Sequence, residues 1–423
     1  MNLRSTGLIL ALGIMIGGQL GCTLGYSGTR VREDRRGAAK YHRYRTQHRG
    51  GLNQAAEEPQ VPSGRIRLGG SGLQNRMAPV RSDRLMRKPI TADHSDASPA
   101  RTTKFFDGQL GELKQNNARP MDGVVNLQQI TFGTAGADFD PALDRSGRWL
   151  AYCSTRHRPT SDLYVQAVDG TAIRRLTDDL ADDAAPAFSP DGKWIVYCSK
   201  RAGNWDLYRI NANGGSAQQL THSLADDVYP SFSPHGNQIV YCTPGAISGQ
   251  WELALIDVDR PSAPKIIGHG LFPQWSPVDN RIVYQRPRTR GSRHFGVWLI
   301  ELKDGQWGAP TQIAASTNAA VITPRWSPDG KSIVFCTIVN PESDLQQGTP
   351  VQSDIWVHGL DGMGRANLTR SRFANLQPVW GPNGLVYFVS NRGRNGMENI
   401  WAMRTEAVFK VARSVFGAAA STQ

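Results

Sequence analysis

Short apolar runs separated by turn-forming residues fill the C-terminal two thirds of the chain. The clearest example is segment 186–199, which reads PAFSPDGKWIVYCS. Its apolar ends predict two strands. The residues between them, Ser189 to Gly192, predict a tight turn, because proline presets φ and glycine accepts a positive φ. Variants of this segment begin at five other prolines, which are Pro141, Pro230, Pro273, Pro324 and Pro378.

Each copy continues into two further predicted strands. A third run begins at an acidic or polar residue in most copies, at Asp162, Asp206, Glu252, Val297, Asp354 and Asn399. Asp-Gly or Asn-Gly pairs then predict hairpins, at Asp169-Gly170, Asn213-Gly214, Asp304-Gly305 and Asp361-Gly362. The fourth strands are predicted at 173–177, 218–221, 265–267, 311–313 and 366–369.

The spacing of the copies predicts the architecture. The leading prolines are separated by 45, 44, 43, 51 and 54 residues, a period typical of propellers. Four strands per copy make each copy one blade. We therefore predict an all-β fold, a six-bladed β-propeller of four-stranded blades. The sixth copy lacks its own fourth strand, and we expect an N-terminal strand at about 125–131 to pair onto that blade and close the ring.

The repeats resemble the TolB-type, WD-like repeats of bacterial six-bladed propellers. The resemblance rests on the Trp-Ser-Pro-Asp-Gly turns and on the Ile-Tyr or Ile-Trp third strands, and it covers roughly residues 125–403. TolB proteins carry an α/β domain before the propeller, and we do not expect one here. The resemblance implies docking to envelope proteins, including peptidoglycan-associated lipoproteins, but one scaffold hosts many activities.

The first 21 residues predict an export signal. The apolar core Leu8–Ile16 follows Arg4 and is too short to span a bilayer, which needs about 20 residues. It ends at Gln19-Leu20-Gly21-Cys22, which resembles a bacterial lipobox, although that family prefers Leu where Gln19 stands. The resemblance implies that Cys22 is acylated, and Thr23 after it favours the outer membrane. The alternative is an ordinary signal peptide that contains a cysteine.

The predicted linker, residues 22–120, holds most of the positive charge of the chain. It contains 19 Lys and Arg against 9 Asp and Glu, whereas the whole chain has a formal net charge of +12. Low hydrophobicity and uneven charge predict disorder. The dense run Arg30–Arg49 fits an anionic membrane or cell-wall polymer, a solvated spacer, or nucleic acid. We do not expect nucleic acid for an exported chain.

Four cysteines occupy the same repeat position, after the aromatic residue of the second strand: Cys153, Cys198, Cys242 and Cys336. Equivalent positions on successive blades lie too far apart for a disulfide or a shared zinc ion. We predict that these cysteines fill buried pockets. The sequence predicts no metal site and no cofactor.

Paired aspartates predict the ligand site. Loops from strand four to the next strand one lie near the propeller axis. In the first three blades they carry Asp138, Asp140, Asp182, Asp183, Asp226 and Asp227. Arginines of the loops between strands two and three should lie further out, so we expect an acidic crescent ringed by basic loops. The alternative is that the aspartates hold backbone N–H groups at turns.

Catalytic motifs are absent from the sequence: it has no Gly-x-Ser-x-Gly, no His-Glu-x-x-His and no phosphate loop. We therefore expect a monomeric, non-catalytic binding scaffold of the cell envelope, built on a propeller at 121–403. The alternative is a polysaccharide lyase or glycosidase that uses Asp182 and Asp226 as acid and base. The tail 404–423 has the spacing of an amphipathic helix.

Overall fold

The computed structural model describes residues 110–113, 127–261, 263–341, 350, 352–360, 364–393 and 396–404. The predicted signal peptide with Cys22, the basic run and the amphipathic tail lie outside these residues and stay predictions. No helix in the described part of the chain is long and apolar enough to cross a bilayer.

The described strands form six antiparallel sheets of the predicted kind. Blade one holds β2 (Asp138–Leu143), β3 (Trp149–Ser154), β4 (Asp162–Ala167) and β5 (Ile173–Arg175). Blade two holds β6 (Asp183–Phe188), β7 (Trp194–Ser199), β8 (Asp206–Asn211) and β9 (Gln218–Gln219). Blade three holds β10 (Val228–Phe232), β11 (Gln238–Pro244), β12 (Trp251–Asp257) and β13 (Lys265–His269).

The other three blades follow the same order with two departures. Blade four holds β14 (Leu271–Trp275), β15 (Arg281–Pro287), β16 (Phe295–Lys303) and β18 (Thr311–Ala314), and the short β17 (Gln306–Trp307) pairs with the end of β16. Blade five holds β19 (Ala319–Trp326), β20 (Ser332–Val339), β21 (Asp354–Gly359) and β22 (Arg365–Asn367). Blade six takes its outer strand from the N-terminal side: β23 (Asn375–Trp380), β24 (Leu385–Ser390), β25 (Asn399–Arg404) and β1 (Gln128–Gln129).

The pairing of β1 with β25 closes the ring, as the strand count predicts. Gln128 lies opposite Ala402 and Gln129 opposite Trp401. Just after β1, the hydroxyl of Thr131 accepts the backbone N–H of Ile400 at 3.0 Å. A threonine in the same place accepts the same third-strand N–H in three other blades, in the pairs Thr177–Leu163, Thr221–Leu207 and Thr369–Ile355.

The first strand of every blade contains a β-bulge at the residue before its leading proline. At these six positions the strand register shifts, and a non-glycine residue adopts a positive φ between 49° and 57°. Such a conformation costs of order 1–3 kcal/mol per residue. The six bulge residues are Asp140, Ala185, Tyr229, Phe272, Thr323 and Gln377.

The side chain at the cysteine position contacts the bulge of the next blade. All four propeller cysteines are buried and free, as packing predicts. The Sγ atom of Cys198 also accepts the N–H of Tyr229 at 3.3 Å, from the next blade. Gln285 replaces the cysteine in blade four, and its Oε1 accepts the N–H of Thr323 at 2.7 Å. The position therefore supplies an acceptor for a backbone group that its own sheet leaves unpaired.

Replacing Thr131 by valine tests the closing contact. The side chain is buried, so the variant leaves the Ile400 N–H without its hydroxyl acceptor and should lower the free energy of unfolding by about 1–3 kcal/mol. Thr177→Val removes the equivalent bond inside blade one and is the matched control. Urea unfolding of both variants should give comparable losses. A neutral T131V beside a destabilised T177V would contradict the closing role.

Candidate functional site

The connections between strands define two faces of the propeller. The loops from strand four to the next strand one, and the loops between strands two and three, lie on one face, which we call the connection face. The tight turns after strands one and three lie on the opposite face, the turn face. The predicted aspartates belong to the connection face and to the first strands that start there.

Asp138 and Asp183 differ from the expected acidic crescent. Both are fully buried at the start of a first strand. Arg156 donates to both carboxylate oxygens of Asp138 at 2.9 and 3.0 Å. One guanidinium nitrogen of Arg201 likewise donates to both carboxylate oxygens of Asp183, at 3.1 and 3.3 Å. These charges neutralise one another inside the blades and do not face a partner as a free acidic surface.

The same two arginines were expected in an outer basic ring, and aromatic side chains hold them inward. The Arg201 guanidinium lies 4.7 Å from the ring centre of Tyr208, and that of Arg156 lies 5.0 Å from Tyr164. Such contacts contribute about 0.5–2 kcal/mol each. Blade six repeats the arrangement with an amide, since Arg392 donates to Asn375 Oδ1 at 2.6 Å.

Asp182 and Asp226 hold the loops of the connection face. Asp182 accepts the N–H of Ser161 at 3.2 Å, and Asp226 accepts the N–H of Trp205 at 3.0 Å. Both side chains are half-buried, so part of each carboxylate stays open to solvent. The contacts are those of loop-stabilising carboxylates, and they give no specific support to an acid–base pair.

Asp227 is buried without an arginine. Ser223 donates to its carboxylate at 3.2 Å. Burial raises the pKa of Asp227 to about 6, against the opposing hydrogen bonds of Thr243, Thr221 and Ser223. Burial also raises the pKa of Asp183 to about 6. Both groups are therefore harder to ionise in the folded state than in the unfolded state.

Asp140 lies at the axis and not on the connection face. It is the bulge residue of blade one and accepts the N–H of Ala185 from blade two at 3.0 Å. Gln377 of blade six donates to its other oxygen and accepts its backbone N–H at 2.9 Å. Burial raises the pKa of Asp140 to about 6. The residue therefore ties three blades together around the channel.

Exposed apolar side chains mark one half of the connection face. Leu180 and Leu224 lie in consecutive loops from strand four to strand one and are 86% and 102% exposed. Phe132 lies in the preceding such loop, and Ile247 in the second loop of blade three, at 71% and 103%. These four are the most exposed large apolar side chains in the described part of the chain. We call them the apolar crescent.

A short upstream segment covers part of the other half. Leu110 is buried, and its N–H donates to the carbonyl of Ala315 at 2.7 Å. Asn318 binds both the N–H and the carbonyl of Leu113, at 2.8 and 2.7 Å. Ala315 and Asn318 belong to the connection between blades four and five. Residues 110–113, which lie within the predicted linker, are therefore docked on the connection face.

The repeats match a known family. Residues 125–293 match the family model described as the TolB beta propeller domain. The propeller is TolB-like. A comparison with curated proteins found no match. Among the described residues, no group of three or more His, Cys, Asp or Glu side chains is arranged to hold a metal ion.

Several solved structures are similar to the propeller at low sequence identity. A putative TolB from Agrobacterium tumefaciens is 19% identical with a TM-score of 0.49, and the match covers 66% of this chain and 96% of that one. TolB from Acinetobacter baumannii is 18% identical with a TM-score of 0.48, over 58% and 57%. An oligogalacturonate lyase from Vibrio parahaemolyticus is 12% identical with a TM-score of 0.46, over 68% and 96%.

Sequence reasoning missed the pairing of the arginines and the docked segment. A pattern for the first was present: serine two residues before each arginine, in Ser154-x-Arg156, Ser199-x-Arg201 and Ser390-x-Arg392. The serine of blade one donates to Asp138 at 2.6 Å, and that of blade six donates to Asn375 at 2.9 Å. For the docked segment, the only pattern in the sequence was a pair of leucines three residues apart, Leu110 and Leu113.

Replacing Asp227 by asparagine should flatten the pH dependence of stability. Because the folded-state pKa of about 6 lies above the ordinary value of 3.8, this carboxyl stabilises the fold at low pH, and that contribution is lost as the pH rises through 6. When the pH rises from 4.5 to 7.5, the wild type should lose about 1–3 kcal/mol more unfolding free energy than D227N does. Chemical denaturation at both pH values measures this. Parallel profiles for the two proteins would contradict the raised pKa.

Replacing Arg201 by methionine should destabilise the fold. The variant keeps the apolar stem but leaves the buried Asp183 carboxylate without its partner. Because the Arg201 side chain is 26% exposed, we expect a loss of about 2–3 kcal/mol, below the roughly 3–5 kcal/mol of a fully buried pair. Lys193→Met is the control, since Lys193 pairs with the exposed Asp191 and its loss should cost under about 1 kcal/mol. Equal losses for the two variants in urea unfolding would contradict the assigned role of Arg201.

Proposed function

We propose that the chain is a non-catalytic binding scaffold of the bacterial cell envelope and that it engages a protein partner through the connection face. The observation that carries the proposal is the apolar crescent, four exposed large side chains on one face of neighbouring blades. Single exposed apolar residues are ordinary, but a set gathered on one face is a mark of an interaction surface.

The crescent has the composition of a protein-binding site. Burial of one leucine or isoleucine side chain contributes about 1.5–3 kcal/mol, so three or four together can offset part of the cost of association. The half-buried carboxylates of Asp182 and Asp226 lie in the same loops as Leu180 and Leu224. They supply a polar rim that selects a partner with basic or N–H groups beside its apolar residues.

The docked segment 110–113 is a precedent within the chain itself. It binds the connection face with one buried leucine, one backbone hydrogen bond to Ala315, and side-chain hydrogen bonds with Asn318 and Ser316 in the loop between blades four and five. A short segment of a partner can bind the opposite half in the same manner. From the resemblance of the repeats to TolB propellers, we infer that the partner is an envelope protein or lipoprotein, peptidoglycan-associated ones included.

The location in the envelope rests on the sequence. The apolar core Leu8–Ile16 and the lipobox-like Gln19 to Cys22 support export and acylation of Cys22, with the outer membrane as the favoured membrane. Two or more acyl chains anchor a protein far more stably than one. The basic linker then lies along anionic lipid or cell-wall polymer.

Photo-crosslinking from the connection face tests the binding proposal. A benzophenone amino acid at position 224 or 247, in the full chain in intact bacteria, should give a discrete adduct with the same partner protein. The control position is 278 on the turn face, where Val278 is also exposed. The adduct should disappear when the other crescent residues are replaced by serine. It should persist when Ile173 and Ile266, which are exposed but lie outside the crescent, are replaced by serine. Identical adducts from both faces, or none from the crescent, would contradict the proposal.

Replacing Cys22 by serine tests the anchor. The wild-type chain should incorporate an alkyne-tagged fatty acid and sediment with membranes, whereas C22S should do neither, because serine offers no thiol for acylation. Cys153→Ser is the matched control and should stay labelled, since that thiol is buried in blade one. A labelled C22S protein would overturn the anchor.

A further inference from the structure

A cavity that is separate from the apolar crescent opens on the turn face. The six turns after the first strands surround a funnel at the propeller axis with a cavity volume of about 210 Å³. That volume suits a small organic molecule and is below the usual range for drug-sized ligands. Proline and tryptophan side chains form much of its wall, which includes Pro141, Pro186, Pro230, Pro273, Trp326 and Trp380. The apolar crescent lies on the other face.

A guanidinium without an ion-pair partner lies at the inner end of the funnel. Arg325 of β19 lines the cavity, and its one recorded hydrogen bond goes to the carbonyl of Pro324 at 3.3 Å. No carboxylate of the described residues lies within ion-pair distance of it. Burial lowers the pKa of Arg325, and Asp140 and Tyr229 oppose that shift. The Arg325 side chain is half-buried, and a guanidinium that makes one hydrogen bond has further N–H donors that can bind a ligand in the cavity.

A phenol without a hydrogen-bond partner lies beside it. Tyr229 of β10 also lines the cavity and is 5% exposed, and its hydroxyl has no partner among the described residues. Its ring packs on Phe272 with ring centres 3.8 Å apart, which fixes its direction. Burial raises the pKa of Tyr229 well above its ordinary value. The hydroxyl therefore remains a donor at neutral pH.

The neighbouring acceptor is already occupied. Asp140 accepts one hydrogen bond from Ala185 and another from Gln377. The groups that a ligand can bind at the inner end are therefore donors, namely the Tyr229 hydroxyl and the positively charged Arg325 guanidinium. Strained bulge residues surround them, and strain of this kind collects at ligand sites.

We propose that the funnel binds a small carboxylate with an apolar body. The carboxylate pairs with the Arg325 guanidinium and accepts a hydrogen bond from the Tyr229 hydroxyl. The apolar body packs against the proline rings and Trp326. This site is independent of the partner-binding face and does not require the proposed scaffold function.

The pH dependence of binding should follow Asp140. The titratable groups that face it are Cys153 of β3, Cys198 of β7, Tyr229 of β10 and Arg325 of β19, and neutral Gln377 contacts it from β23. The pKa of Asp140 is about 6, whereas burial raises the pKa values of Cys153, Cys198 and Tyr229 well above their ordinary values. Protonation of Asp140 removes a negative charge beside the ligand, so a carboxylate should bind more tightly at pH 5.5 than at pH 7.5.

Isothermal titration of the purified full chain with sodium benzoate tests the site. Benzamide, which has a similar shape and no charge, is the matched control ligand. Benzoate should bind saturably, and at least about tenfold more tightly than benzamide, because a charge-assisted pair is lost in the amide. Equal affinities, or no saturable binding of benzoate, would overturn the proposal.

Variants separate binding from folding. Arg325→Gln should weaken benzoate binding by about tenfold or more, and Tyr229→Phe by about three- to tenfold, because it removes only the hydroxyl. Arg148→Gln removes an exposed arginine of blade one and should leave affinity unchanged. R325Q should keep the wild-type melting temperature, because Arg325 makes no ion pair with a carboxylate of the described residues. A clear fall in its melting temperature, or unchanged affinity, would contradict the assigned role.

Discussion

The pairing of Gln128 and Gln129 with Ala402 and Trp401 is the contact on which the rest of the structure depends. It joins parts of the chain that are more than 260 residues apart, and it gives blade six the outer strand that its own sequence does not supply. This strand covers the outer edge of β25, which would otherwise be unpaired. Closure also sets the axis, and both candidate sites depend on the axis: the funnel is bounded by all six first strands, and the apolar crescent crosses the junction between blades six and one.

The blades are held to one another by polar contacts as well as by packing. A bulge turns a backbone N–H away from its own sheet, and at four junctions the preceding blade supplies an acceptor. The acceptor is Cys198 for Tyr229, Gln285 for Thr323 and Asp140 for Ala185. Blade six has Val389 at the cysteine position, and Asp140 takes its contact from Gln377. These contacts stabilise the strained bulges at four of the junctions.

The fold could be predicted from the sequence because its determinants are local and repeated. The Ser-Pro-Asp-Gly turns, the Asp-Gly hairpins and the missing fourth strand sufficed for six blades and for closure. The site was harder to predict, since it depends on which side chains meet across a loop. The predicted free carboxylates of Asp138 and Asp183 pair with arginines of their own blades. Arg325 and Tyr229 lie on different blades, and no local pattern brings them together.

Hydrogen exchange of β25 tests ring closure most directly. Two proteins should be compared by mass spectrometry, one beginning at residue 121 and one beginning at residue 134, which lacks β1 and Thr131. Removal of β1 and Thr131 leaves the backbone groups of residues 400–402 that bond to them unpaired, so we predict much faster exchange there in the shorter protein. The interior strand β3 should stay protected in both. Equal protection of β25 in the two proteins would contradict the account.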